Sequence, residues 1–281
     1  MSKSPRSFDH CVLPVPNLDV ARARYAALGF TVVPQGTHPF GTINACVYFA
    51  DDTFLEPLTV GDAAHVATAI GDRNVFVARD VLYRQTIGDN GFSALVFKTD
   101  DAPADHGQFV DARISAGPML DFSRAFVGPD GKSGTVSFRL AFAANGDSDA
   151  GYFFTCQRIN APAASGRAAL ERHANGVTGI AGITLTAEEP RDHRDFLAAL
   201  TQAPVAEAAD GLVAKLHGGD VRLVQGTGPL QLSAIRFTVR DLAETAAVLS
   251  ESGIAFERSH THLSVDPASG QGAIFHFEEM K

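Results

Sequence analysis

The sequence predicts an α+β protein made of four strand–helix–three-strand units in two tandem domains, 1–160 and about 170–281. Two observations carry this. In the first sixty residues, apolar positions switch between strand and helix periods in the order strand, helix, three strands, and that order returns near the end of the chain. A turn, a helix and a stop glycine also recur together at Leu18 to Gly29 and Leu242 to Gly253, with the same eleven-residue separation. A period of about 60 to 90 residues is too long for a solenoid and suits duplicated supersecondary units.

In the first unit, Phe8 to Val15 reads as a strand and Leu18 to Leu28 as a helix ended by Gly29. Phe30 to Pro34, Asn44 to Phe49 and Phe54 to Val60 read as strands, with Asp51-Asp52 turning between the last two. Asn74 to Gln85 is helical and belongs to no unit, so it reads as a connector packed on the first domain. The second unit has a strand Phe92 to Lys98, a helix Ala104 to Ala116 stopped by Gly117, and a hairpin of Thr135 to Phe142 with Tyr152 to Gln157. Ala161 to Ala169 reads as a linker. The third unit is Ile183 to Ala187, the helix Arg191 to Leu200, Leu212 to Leu216 and Val221 to Gln225. The fourth is Ala234 to Val239, the helix Leu242 to Ser252, Ile254 to Glu257, His262 to Val265 and Ala273 to Phe277.

Composition narrows the function. The 281 residues are 45% hydrophobic and 20% charged, which is ordinary for a globular protein. A net charge of -9 argues against a broad nucleic-acid surface. Cys11, Cys46 and Cys156 form no CxxC pair, which disfavours a disulfide framework or a Cys-type zinc site. No apolar run reaches the roughly 20 residues of a membrane span, and no leader pattern opens the chain, so a cytoplasmic protein without a membrane partner is expected. Phe is abundant at 20 while Trp is absent, and Phe54, Phe97, Phe138 and Phe154 are candidates for core or for the wall of an apolar pocket.

The segments FDHCVLPVPNLD, ALGF, GTHPFGTINACVYF and FLEPL, with YFFTCQ and HANG further on, resemble the vicinal oxygen chelate superfamily and its glyoxalase-like domain proteins. The resemblance implies βαβββ modules paired around a cleft that holds metal or substrate; the residues at the expected ligand places put the functional cleft in the first domain and leave the second degenerate. It also implies a site that draws one side chain from the first strand and one from the last strand of each module. His10 and Glu56 occupy those places in module one and are either an inward polar pair, hydrogen-bonded to each other or to a ligand, or the ligands of a divalent ion such as Zn, Mn, Fe or Ni, with Glu56 also the candidate proton-moving group. Module two offers only Ser93 and Thr155 or Cys156, so half the usual ligand set is missing, and His38, Gln157 or His173 is left to complete it. Gly182 and Ala234 at the corresponding places of modules three and four disfavour a ring-cleaving dioxygenase.

His38, Asn44, Arg124, Gln157 and His173 are candidate substrate-binding residues. His38 and Asn44 lie in a Gly- and Pro-rich turn and Arg124 is a potential carboxylate partner, while turn hydrogen bonds and a solvated arginine are the simpler alternatives. The resulting expectation is a glyoxalase-like protein acting on a small oxygenated molecule by metal-assisted lyase or isomerase chemistry. The alternative is a metal-free protein that sequesters a hydrophobic compound, as superfamily resistance proteins do. A homodimer is compatible with either.

Overall fold

The structure, a computed structural model, describes residues 4–127, 133–146, 151–160 and 168–279. The first unit comprises β1 (Phe8–Pro14), α1 (Leu18–Ala27), β2 (Gly36–Thr37), β3 (Thr42–Asn44), β4 (Val47–Tyr48) and β5 (Phe54–Val60). Helices α2 (Ala63–Gly71) and α3 (Val75–Thr86) follow. The second unit is β6 (Ala94–Lys98), α4 (Ala102–Asp111), β7 (Leu120–Val127), β8 (Ser133–Ala143) and β9 (Tyr152–Ile159). The third is β10 (Val177–Ala187), a 3-10 turn leading into α5 (Arg194–Thr201), β11 (Val205–Ala208), β12 (Gly211–Leu216) and β13 (Gly219–Gln225). The fourth is β14 (Gln231–Val239), α6 (Leu242–Glu251), β15 (Glu257–Arg258), β16 (His262–Val265) and β17 (Ile274–Glu279).

Local chemistry starts the helices. Asn17, Asp62, Asn74, Asp101 and Asp241 each accept a backbone N–H of the first turn through the side chain. Gly29 and Gly253 follow α1 and α6 at φ 84 and φ 67, a left-handed conformation that costs glycine little.

Each unit pairs its first strand in parallel with its last, as β1 with β5, β6 with β9, β10 with β13 and β14 with β17. The antiparallel pairs β1–β6 and β10–β14 join units two by two into two curled sheets. One face of each sheet contributes to a common core. Cys11, Leu13, Leu55, Leu95 and Phe97 come from the first sheet, and Ile183, Leu185, Ile235 and Phe237 from the second. The opposite face of the first sheet carries a second cluster, in which Val12, Leu58, Val96 and Phe154 meet Val66 of α2 and Phe76 of α3.

Several boundaries differ from those expected. Phe30 to Pro34 is not a strand; Phe30 instead places its ring against Phe237 at 5.6 Å and Phe275 at 6.2 Å, wedging the segment against the second sheet. The expected strand Asn44 to Phe49 is broken between β3 and β4, because the facing residue Pro57 has no N–H to donate. Gly117 does not stop α4, which ends at Asp111 with Ala112 as its cap before Arg113 turns at φ 58. Strands β7 and β11 and helix α2 lack a strong alternation or long period and were not anticipated. Most of the expected linker, 161–167, lies outside the described residues.

Candidate functional site

Strand β1 normally alternates sides, yet Phe8 joins the common core while His10 and Val12 turn to the opposite face. The break is a bulge. Pairing with β6 shifts register between Phe8 and His10, which leaves Asp9 as the extra residue and lets Asp9 and His10 meet side by side. Asp9 Oδ1 lies 2.5 Å from His10 Nδ1 and accepts from Arg158 Nη2 at 2.6 Å. This contact leaves the other ring nitrogen of His10 facing Glu56.

Glu56 lies on β5, whose alternation sends Leu55 to the core and Glu56 and Leu58 to the other face. Its Oε2 is 3.5 Å from His10 Nε2 and its Oε1 3.6 Å from His38 Nε2. The Asn44 side-chain amide donates to Oε1 at 2.6 Å. His38, in the turn between β2 and β3, is held through Nδ1 by Thr42 Oγ1 at 2.9 Å. His10, Glu56, His38 and Asn44 are 6%, 5%, 8% and 3% exposed, so the cluster is almost withdrawn from water.

Aromatic rings build its walls. His10 stacks on Phe54 at 4.3 Å and meets the edge of Phe154 at 5.7 Å. His38 stacks on Phe40 at 4.9 Å and meets Phe76 of α3 at 5.8 Å and Phe122 of β7 at 5.9 Å. Phe40 also touches Phe122 at 5.2 Å. The β2–β3 turn and β7, at opposite ends of the first sheet, therefore meet across its inner face, with α3 filling part of the space between them.

Burial alone would protonate Glu56, but the hydrogen bond from His10, the charges of His38 and His10 and the Asn44 amide outweigh it and hold the carboxyl at about 2. Burial likewise opposes a charge on His10, and the bonds to Asp9 and Glu56 overcome it and raise its pKa. His38 goes the other way: burial, helped by Arg124 and His10 against Glu56, lowers it to about 4, so this imidazole is neutral at neutral pH. The site thus pairs an anionic carboxylate with one imidazole that favours its proton and one that has lost it.

Two imidazole nitrogens facing one carboxylate are donors of the right kind for a divalent transition metal. Their arrangement does not complete the requirement. Among the described residues, no group of three or more His, Cys, Asp or Glu side chains is placed to hold a metal ion.

Arg124 on β7 lies half-buried at the rim, 5.6 Å above the Phe138 ring. Gln157 is not drawn into the site: it accepts from Ala102 N at 3.2 Å and donates to Asp100 O at 2.6 Å, bracing the start of α4. His173 also lies apart, with Nδ1 accepting from Thr31 N at 3.0 Å and Nε2 donating to Tyr48 O at 2.9 Å. From module two, Cys156 sits in the inner-face cluster, its thiol pushed up by burial, while Ser93 reaches only the Val12 carbonyl at 3.5 Å. The sequence reading missed Asp9, Arg158 and Phe76. The adjacent Asp9-His10 pair was a visible signal, but ordinary alternation would place the two on opposite faces.

Paired βαβββ modules curling around inward-facing His and Glu side chains define the vicinal oxygen chelate architecture. Residues 8–201 match the glyoxalase-like domain, and the chain belongs to that family. Among solved structures, a hypothetical protein from Staphylococcus aureus is similar over 97% of this chain and 99% of its own, at 15% identity and a TM-score of 0.69. A Mn(II)-bound glyoxalase from Novosphingobium aromaticivorans is similar over 98% of this chain and 82% of its own, at 12% identity and a TM-score of 0.57. Homoprotocatechuate 2,3-dioxygenase from Arthrobacter globiformis aligns over 99% of this chain and 81% of its own, at 13% identity and a TM-score of 0.56. At these identities the likeness is one of fold. No curated protein matches the chain. Among the described residues, no helix is long and apolar enough to cross a membrane.

Proposed function

We propose that the inner face of the first sheet binds a small oxygenated organic molecule and moves a proton on it, with Glu56 as acceptor and His10 as donor. The observation that carries this reading is a buried, anionic carboxylate facing the Nε2 atoms of two imidazoles, one of them braced by a buried aspartate. A carboxylate held at about 2 is a weak base while its partners remain in place. A ligand carbonyl that takes the His10 N–H in its stead removes one of those partners and raises the basicity of Glu56 beside the ligand carbon. His10, whose hold on its proton is strengthened by Asp9, then meets the negative charge developing on the carbonyl oxygen, and the aromatic walls keep water from competing. This is lyase or isomerase chemistry at a carbon next to a carbonyl. A divalent ion at His10 and Glu56 would supply the same carbonyl polarisation in a related way.

The second reading, a metal-free protein that sequesters an apolar compound, is favoured by one observation: the apolar rings of Phe154 and Phe76 pack directly against His10 and His38.

The test uses untagged protein and a panel of 2-oxo and 2-hydroxy carbonyl compounds in deuterated water, with loss of the C–H signal and product formation followed by NMR. Glu56→Gln is expected to slow exchange by about 10²–10⁴-fold at a temperature where circular dichroism shows the variant still folded. Binding without exchange in the wild type supports sequestration instead. Elemental analysis of the same samples decides the metal: stoichiometric ion lost in Glu56→Gln identifies a metal centre, and an active metal-free protein identifies side-chain proton transfer.

A further inference from the structure

Arg124 is the one cationic side chain on the described part of β7, the strand that meets the β2–β3 turn across the inner face of the first sheet. Its guanidinium lies over the Phe138 ring at 5.6 Å, and Phe138 stacks on Phe122 at 4.8 Å, so the side chain rests on an aromatic shelf beside His38. It points toward the cluster. A Cβ added at Gly36 would stand 3.2 Å from Arg124 Nη1 and would collide with Asn44 Oδ1, which places the guanidinium next to the amide that holds Glu56. The field of Arg124 also reaches the His38 imidazole and helps keep it neutral.

The other arginine at this site has a protein counter-charge, since Arg158 pairs with Asp9 at 2.6 Å. Arg124 does not. Among the described residues, no carboxylate lies within ion-pair distance of it; Asp121, three positions back on β7, faces Arg139 at 3.6 Å. A half-buried guanidinium with an open fork, at the edge of a nearly dry cluster, matches a carboxylate in planarity and charge.

We propose that the ligand of this site is a carboxylate-bearing carbonyl compound, oriented by Arg124 so that its carbonyl end meets His10 and Glu56. This rests on the proposed function and narrows it to anionic substrates. The carboxylate lies across the Arg124 fork beside Asn44, and the aromatic shelf of Phe122 and Phe138 supports the same end of the molecule. Arg124 is in this account a specificity residue and takes no part in proton transfer.

The test measures binding of benzoylformate and phenylpyruvate, each against its primary amide, by calorimetry on the full chain. The wild type is expected to bind each acid at least about tenfold more tightly than its amide, a difference of about 1.4 kcal/mol, since hydrogen bonds to a charged partner are stronger than those to a neutral one. Arg124→Met should erase that preference by weakening the acid and leaving the amide unchanged, and Arg124→Lys should restore part of it, because charge is kept and the fork is lost. Melting temperatures of both variants show that they fold. Equal binding of acid and amide by the wild type overturns the inference, as does an acid preference that survives in Arg124→Met or a failure of both acids to bind. In each of these cases, a neutral carbonyl compound whose exchange is lost in Glu56→Gln leaves the proposed function standing, so the two failures are distinguishable.

Discussion

The two sheets share one topology and hold opposite things on their inner faces. Aligned on the buried pairs Cys11–Leu55 and Ile183–Val221, the place of His10 is taken by Gly182, and the places of Phe54 and Glu56 by Asp220 and Arg222. The next strand of the second sheet brings Arg236, whose guanidinium bonds Asp220 and lies 3.4 Å from Glu278. A side chain at Gly182 would collide with that guanidinium, so the glycine makes room for it. In the second sheet two carboxylates close on a cation supplied by the chain itself. In the first, a carboxylate closes on two imidazoles, and helices α2 and α3 add an apolar cover. The strands fix positions on a face; the residues at a few of those positions decide whether the face is a reactive centre or an internal ion pair.

This contrast can be tested from each side. The largest effect on stability is expected from Phe76→Ala, which empties the contact between α3 and the first inner face; denaturant unfolding should show a loss of about 3–5 kcal/mol. Arg236→Met should cost about 3 kcal/mol by the same measurement, because it leaves the Asp220 carboxylate, 8% exposed, with only the exposed Lys215 and Arg222 as ion-pair partners among the described residues. Ligand binding at the first face should be untouched by it.

Acid supplies the next test. The folded pKa of His38 is depressed from 6.5 to about 4, so between those values the unfolded chain binds the proton and the folded one does not. Stability should therefore fall as pH drops through this window, by at most about 1.4 kcal/mol per pH unit from this group. His276 on β17 is lowered by burial and contributes in the same direction, so the reading is the difference between wild type and His38→Gln, which should show a flatter profile. Below that window Glu56 begins to protonate, and its contribution is lost as pH falls from 4.5 toward about 2. The smallest effect is expected for Arg222→Gln, at the place equivalent to Glu56 but 47% exposed, where a melting curve should move by no more than about 0.5 kcal/mol.

The sequence made some of this legible and hid the rest for identifiable reasons. Side chains two apart on a strand share a face, so the face of His10 and Glu56 could be read from Val12 and Leu58. Asp9 could not, because the bulge that brings it beside His10 comes from pairing with β6, far along the chain. The helical period of α3 was visible, but its packing inside the first sheet depends on Phe76 meeting Phe40 of the β2–β3 turn and Tyr152 and Phe154 of β9, two distant segments. Gly182 read as a missing ligand; its role in admitting Arg236 appears only when the two strands pair.

The central claim is that ligand chemistry belongs to the first inner face. The most direct measurement is NMR of ¹⁵N-labelled imidazoles, assigned with single His→Gln variants, during titration with phenylpyruvate and its amide. His10 and His38 should shift together with one dissociation constant while His262 and His276 stay still. Shifts confined to His262 and His276, or no shift at His10 and His38 while calorimetry reports binding, would contradict the account.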